Sequence, residues 1–432
     1  RGPGQNQIAM AVEPLLDKAA RQLGIDLVAI RRINAPTNDS RYGASRQPVT
    51  SAHLRDALDM GAEQFAWQER RARSGQRDGS KSRATAVGQA FHSAGASGFD
   101  GLVRITPDGV LHIHSGVGNL GTYSYASTSR VAADALKYDW DNCQIVRGDS
   151  SLGLPWNLGQ FGSNTSFTMT RTNYAAAMDA LRKLKEIAAI EFGGSAEDYD
   201  ISGENVFSKS NPSRRMSYAR AAQKAIELGG AYSGHTVPDD INPMTARAVA
   251  GVVDTGLIGV ARDNMGQSGM VPALAAGFIE IELDVETGKV EIIDYLGVAD
   301  CGTVNHPQGL ATQIKGGAVM GFGMALTERH LYDDVWGLPG SVGLYQAKPP
   351  SYLDVPSEMG WAAVNIADPE NPVGSKGIGE PLMGCSAAAL LCAISEALEG
   401  HYFNRTPVVT DMIVNAYSGQ PQSHTPLQVN TQ

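Results

Sequence analysis

The chain is poor in side chains that ligate metals. Its four cysteines, Cys143, Cys301, Cys385 and Cys392, form no CxxC pair, so they cannot supply the thiolate quartets of iron–sulphur clusters or zinc. They read as buried or semi-buried thiols. The nine histidines are scattered; His112 and His114 alternate on an expected strand, and structural roles are expected for each. No apolar run is long enough to cross a bilayer. Basic residues are outnumbered, 35 Lys and Arg against 45 Asp and Glu, and a charge of -10 argues against a nucleic-acid partner. An initiating Met and a signal-like leader are also missing. The opening, RGPGQNQIAMAVEPLLDKAARQLG, runs from a Gly-rich turn straight into an amphipathic helix, roughly Ile8 to Leu23. This start is expected of a chain cut from a longer precursor, or of a fold split between two polypeptides. A cytoplasmic location is expected, with the periplasm as the alternative.

What the sequence has in plenty is glycine, 49 of 432 residues, which marks tight turns and close backbone approach. A second helix is expected at about 52–72, followed by a basic, exposed connection, RARSGQRDGSKSRATA. GLVRITPDGVLHIHSG reads as two strands joined at Pro107-Asp108-Gly109, a hairpin signature. A helix at about 123–137, a strand near NCQIVRGD and a long helix over 168–194 follow. GFIEIELDVETGKVEIIDYLGVADCG is a second hairpin, turning at Glu286-Thr287-Gly288. Helices at about 307–328 and 383–399 complete the pattern. Hairpin, loop and helix thus recur, which predicts an α+β protein of two similar lobes. The boundaries expected are 1–215 and 216–417, with a polar arm over 418–432.

GVGNLG, Gly116 to Gly121, fits the dinucleotide fingerprint GxGxxG between a strand and a helix. The strand before it is half of a tight hairpin, however, and no βαβ unit is expected to follow, so an NAD-dependent dehydrogenase is only an alternative. The backbone amides of such a loop can still hold an anion. GQFGSNTS, QIKGGAVMGFG (Gln313 to Gly323) and GSKGIGEP have the same character. Together these loops suggest convergence on one large, phosphate-bearing ligand. GSKGIGEP carries a single acid, Glu380, among glycines and apolar residues. Burial disfavours the charged form of such a carboxylate and makes it a proton acceptor. The competing reading is a salt-bridged or capping Glu at the head of the last helix.

The order of these motifs resembles the molybdenum-binding part of the xanthine oxidase/aldehyde oxidoreductase family. RGPGQNQ is similar to its RGxG segment, DCGTVNHPQGLATQIKGGAVMGFGMALTE to its DxGxxxNPxxxxxQxxGG stretch, and GSKGIGEP to its KGxGEP motif. The similarity runs from residue 1 to about 400, over only the C-terminal half of the usual large subunit. It implies that Glu380 is the catalytic base beside the metal, and that Arg1 lies against the metal's apical oxygen. Gln313, Gly316 and Gly317 would form a wall for the pterin, and Lys376, Gly377 and Gly379 belong to the same cofactor-binding set. Gly162 and Ser163, just after Gln160, would line the metal site. Where many members read GQG, this chain has Gly121-Thr122-Tyr123, and Thr122 could donate from the glutamine's place.

The implied cofactor is molybdopterin, in its cytosine dinucleotide form, with molybdenum held through the pterin dithiolene and no protein ligand. The implied reaction is oxidative hydroxylation of an aldehyde or an aromatic N-heterocyclic carbon, with oxygen from water. Iron–sulphur clusters and FAD would sit on partner chains, and another chain or fragment would supply the subunit's N-terminal half. A non-catalytic scaffold half is the second alternative. For the substrate, Phe91 in GQAFHSAG would offer one aromatic face, Pro3 stands where a second ring is usual, and Trp156 in LPWNLGQ could line the entry. The missing ring favours an aldehyde over a purine.

Overall fold

A computed structural model describes residues 1, 4–149, 151 and 153–424. Residues 1–93 contribute helices α1 (Gln5–Leu23), α2 (Leu27–Asn34), α3 (Leu54–Gln64) and α4 (Trp67–Ala72). They also contribute strands β1 (Arg41–Tyr42), β2 (Gln47–Pro48) and β3 (Arg77–Asp78), then the long β4 (Lys81–Ser93). Next come β5 (Asp100–Ile105), β6 (Leu111–His114), α5 (Ser124–Ala135), β7 (Cys143–Val146) and the long α6 (Thr165–Phe192). Strands β8 (Tyr199–Ser202), β9 (Asn205–Ser208) and β10 (Arg215–Ser217) precede α7 (Tyr218–Leu228), α8 (Pro243–Ala250) and β11 (Leu257–Arg262). Last are β12 (Pro272–Asp284), β13 (Val290–Asp300), α9 (Pro307–Leu326), α10 (Leu344–Ala347), β14 (Gly360–Ala363), α11 (Pro381–Ala397) and α12 (Thr410–Ser418).

These elements form two compact units. The first takes residues 1–93, 272–366 and 378–432; the second takes 94–271 and 367–377. The units are therefore not consecutive halves, because the second runs straight through the boundary expected at 215/216. Each has an antiparallel hairpin with a long helix laid across it, so the class is α+β. The arm expected over 418–432 begins at the end of α12, and residues 425–432 lie outside the described residues.

In the first unit the sheet runs β14-β13-β12-β4-β3. The expected second hairpin is β12–β13, antiparallel, and β14 joins parallel to β13. Gly88, Gly277 and Gly297 stand opposite one another on β4, β12 and β13. They make a side-chain-free trough. A Cβ on Gly88 would lie 2.5 Å from the Ala389 nitrogen and the Cys385 oxygen of α11, and one on Gly297 would lie 2.5 Å from Ile314 of α9. Gly321 of α9 would meet Ser386 and Met383 of α11 in the same way. Helix α11, buried nearly throughout, is accordingly apolar on every side. Its closest obstacles at Gly88 are backbone atoms that cannot rotate away. Gly88→Ala is expected to destabilise this unit by ~1–3 kcal/mol through overpacking, read as a lower thermal midpoint.

Helix α1 reverses the usual arrangement. Its buried face carries Asn6, Glu13 and Asp17, while Ile8, Val12 and Leu15 are exposed. The charges are accommodated by Arg31 of α2, buried completely, which meets Glu13 and Asp17 at 2.7 Å each. Glu13 also accepts the Gln89 backbone N–H of β4 at 3.0 Å.

The single helix expected at 52–72 is two helices. The chain breaks at Ala66, which is left-handed at φ 51°. The break turns both Phe65 and Trp67 onto the Phe278 ring, with centroids 6.0 and 5.9 Å away. The connection expected to be basic and exposed is in part strand: β4 begins at Lys81, and its cations pair with β12, Lys81 with Glu282 and Arg83 with Glu280 at 3.0 Å.

In the second unit the main sheet runs β11-β5-β6-β7, beside a three-stranded β10-β9-β8 sheet. The expected hairpin is β5–β6. Gly101 and Gly259 repeat the glycine device under α6; a Cβ on either would lie within 2.5 Å of a helix carbonyl, of Thr172 or Ala176. Strand β7 is parallel to β6, so β6, α5 and β7 are a βαβ crossover. That corrects the expectation that none would follow GVGNLG. His114, on β6, is buried, and desolvation followed by the Arg104 charge pushes its imidazole down to about 3, a neutral core histidine. Cys301, Cys385 and Cys392 are buried and Cys143 half-buried. No described helix is long and apolar enough to cross a membrane.

Candidate functional site

The residues singled out by the motifs fall into separate groups within the two units. The first group surrounds the head of α11, in the first unit. Glu380 is the residue before Pro381, the first helical residue, and it is buried. The Glu380 side chain makes no cap to the helix, so the capping role is not the one it has. Arg1 donates from Nη1 to the Gly379 oxygen at 3.1 Å and from Nη2 to Gln313 Oε1 at 3.3 Å. Burial lowers the Arg1 pKa, and the nearby Glu380 charge opposes that shift. Arg1, Gln313, Gly379 and Glu380 are thus one cluster, assembled from both ends of the chain and from α9.

The adjacent glycines of α9 have different tasks. A Cβ on Gly317 would lie 2.7 Å from Leu382 and 3.0 Å from the Arg1 guanidinium, so this glycine makes room for the protein's own parts. Among the described residues, a Cβ on Gly316 would meet nothing within 4 Å. Sequence reasoning missed Asn6. It is buried at the start of α1 and donates from Nδ2 to the Arg1 carbonyl at 2.7 Å. The available signal was its place on the α1 stripe Asn6, Ala9, Glu13, Asp17, Ala20, at helical spacing.

The second group, in the second unit, is the GVGNLG loop. Gln160 is its organiser. Its Oε1 accepts the Leu120 N–H at 2.6 Å, and its Nε2 donates to Thr122 Oγ1 and to Ser124 Oγ at 2.6 Å each. Asn157 accepts the Gly116 N–H at 2.6 Å, and Asn119 accepts those of Gly121 and Tyr123. Several amides expected to face an anion are therefore engaged by side-chain amides. Gly121 has φ 92°, and a Cβ there or on Gly118 would meet nothing within 4 Å.

The third group lies in the same unit. Gly162 and Ser163 are consecutive left-handed residues, φ 59° and 53°. A Cβ on Gly377 would fall 1.4 Å from the Ser163 oxygen, so only glycine can stand there. Lys376 beside it is buried. The motif GSKGIGEP spans the point where the chain leaves this unit, at Gly377, and enters the first, at Ile378.

The two aromatic positions have neighbours of their own. Phe91 packs on Tyr42 with ring centroids 5.3 Å apart. Trp156 lies 4.7 Å from Phe99, and its backbone N–H donates to Thr245 at 2.8 Å. Pro3 lies outside the described residues.

Among the described residues no cluster of His, Cys, Asp and Glu could hold a metal ion by itself. The donors and the open glycines suit a different kind of ligand. Gly316 leaves space one turn from Gln313 among the described residues, which admits the close approach of a ligand. Residues 60–356 match the model of the molybdopterin cofactor-binding domain. The chain belongs to that family. The chain is 26% identical to the xanthine dehydrogenase molybdenum-binding subunit of Escherichia coli O157:H7 over 407 residues, 92% of this chain and 50% of that one. It is 26% identical over 420 residues to the aldehyde oxidoreductase molybdenum-binding subunit PaoC of the same strain, 94% and 50%. Quinoline 2-oxidoreductase from Pseudomonas putida 86 shares its fold, with a TM-score of 0.77 at 23% identity, over 96% of this chain and 52% of that one. The chain spans about half the length of these relatives.

Proposed function

We propose that this chain is the base-bearing half of a molybdenum hydroxylase large subunit, and that Glu380 is the base. The observation carrying this reading is the buried Glu380 beside Arg1, with Arg1 fixed to Gly379 and Gln313. When bound, the cofactor supplies the two-electron oxidation and acidifies water for attack on the substrate. Glu380 receives the proton at its carboxylate, in a setting from which bulk water is largely excluded. Arg1, tied down by Asn6, Gln313 and Gly379, keeps a fixed positive charge beside that carboxylate and holds its orientation. Arg1, Gln313, Gly316, Gly317 and Gly379 are the proposed cofactor contacts of the first unit. Gly121, Thr122, Gly162, Ser163, Lys376 and Gly377 are those of the second. The pterin is proposed in its cytosine dinucleotide form. Electrons leave to iron–sulphur clusters and FAD on partner chains, and a further polypeptide or segment supplies the rest of the large subunit.

The proposed substrate is an aldehyde, with a flat N-heterocycle as the second reading. Relatives named for xanthine and for aldehydes bracket these two. Phe91 already has Tyr42 against its ring, and Pro3 replaces the second aromatic position, which removes a two-sided clamp. Steady-state rates of the loaded assembly with benzaldehyde, an aliphatic aldehyde, xanthine and quinoline test this. The highest kcat/KM is expected for an aldehyde. A preference for xanthine contradicts the substrate reading, and oxidation of none of the four contradicts the activity.

A further inference from the structure

Two apolar surfaces of the first unit are left uncovered by the described residues. One is the outer face of α1, where Ile8, Val12 and Leu15 are exposed while the inner face buries Glu13 and Asp17. A helix facing solvent has the opposite pattern. The other surface is the segment 331–353. Its backbone is held by its own turn: Gly340 N–H donates to Leu331 at 2.7 Å, Asp333 N–H to Leu338 at 2.8 Å, and Tyr332 bridges Pro339. Its side chains nevertheless point outward. Trp336 is 78% exposed, Tyr345 80%, Tyr352 98% and Leu353 95%. Aromatic side chains bury about 150–250 Å² each, so the three rings alone leave several hundred Å² in water. Exposed apolar area of that extent marks an interaction site.

We infer that the outer face of α1 and the 331–353 segment seat the part of the large subunit that this chain does not contain. This rests on the molybdenum hydroxylase reading above. The relatives are about twice as long as the matched region, so a body of protein comparable in size to this chain has to dock on it. A fixed turn presenting rigid rings is a suitable anchor for such a body. An anionic membrane is a poor occupant, because the segment holds Asp333 and Asp334 against Lys348.

The test uses the complete assembly, purified through a tag on this chain from its native host. Trp336→Cys, Tyr352→Cys and Leu15→Cys are compared with Glu63→Cys, an exposed charged position on α3, for their rate of reaction with a maleimide. The three patch positions are expected to react at least about tenfold more slowly than position 63, as buried contacts do. A photoactivatable maleimide at position 336 is expected to cross-link to sequence outside residues 1–432. Reaction as fast as at position 63 overturns the inference. Cross-links into a second copy of 1–432 overturn it in favour of a homodimer, and protection lost on adding detergent overturns it in favour of a lipid surface. Molybdenum analysis of the same preparation separates the two readings. Open patches on a molybdenum-loaded assembly sink this inference alone; protected patches on an assembly devoid of molybdenum sink the hydroxylase reading alone.

Discussion

Replacing Glu380 with glutamine is expected to lower turnover by ~10²–10⁴-fold, the usual worth of a general base, while molybdenum content and assembly persist. Glutamine matches the shape of glutamate but cannot accept a proton at neutral pH. The helix should tolerate the change, because the Glu380 side chain does not cap α11 and Pro381 already supplies a first residue with no N–H to satisfy. Arg1 should stay in place, since its guanidinium donates to Gly379 and Gln313. A variant that keeps most of its activity would remove Glu380 from the mechanism. One that loses molybdenum along with activity would make the residue structural.

The second large effect concerns folding. Arg31→Ala should destabilise the first unit by about 3–5 kcal/mol, because it strands two buried carboxylates, Glu13 and Asp17, without their cation. The loss should depend on pH, with a sign fixed by Glu13. Burial raises the Glu13 carboxyl above its ordinary value, and the Arg31 charge and hydrogen bond pull it back. A carboxyl raised in the folded state contributes stability below its unfolded pKa and loses it as pH rises through the folded value. Without Arg31 that folded value climbs further. Arg31→Ala is therefore expected to be least harmful in mild acid and most harmful at neutral pH and above. Urea unfolding midpoints of variant and parent at pH 5 and pH 8 check this; an equal loss at both would show that the pair is not what Arg31 holds.

The hairpins were legible because their turns are local chemistry. Asp108-Gly109 and Thr287-Gly288 sit between alternating runs, and both Gly109 and Gly288 have positive φ. Helices α9 and α11 were legible for the opposite reason, since they are long and apolar. What stayed hidden depended on distant partners. The buried face of α1 looks like a solvent face until Arg31 is folded against it. The start of β4 looks like a basic loop because its cations answer Glu280 and Glu282 on β12. The α3–α4 break exists for Phe278, far away in sequence. The short, half-exposed β7 concealed the parallel crossover from β6.

The glycines divide on the same line. By spacing alone, those of the QIKGGAVMGFG run all look like room for a ligand. Gly317 and Gly321 instead admit Leu382, Arg1 and Ser386, and Gly316 alone of these three meets open space. Spacing cannot separate the two uses, because a glycine that admits a helix and one that admits a ligand are the same residue. Asn6 and Gln160 escaped notice as functional candidates because an amide carries no charge or motif. Their roles emerge only from the hydrogen bonds they make to Arg1 and to the Leu120–Ser124 loop.

The central claim is that this chain, within its assembly, holds a molybdenum cofactor. The most direct measurement is elemental analysis of the intact assembly, purified through a tag on this chain, with chromatography of the released pterin. The account predicts molybdenum stoichiometric with this chain, accompanied by a pterin dinucleotide. An intact assembly that contains neither molybdenum nor pterin would contradict it.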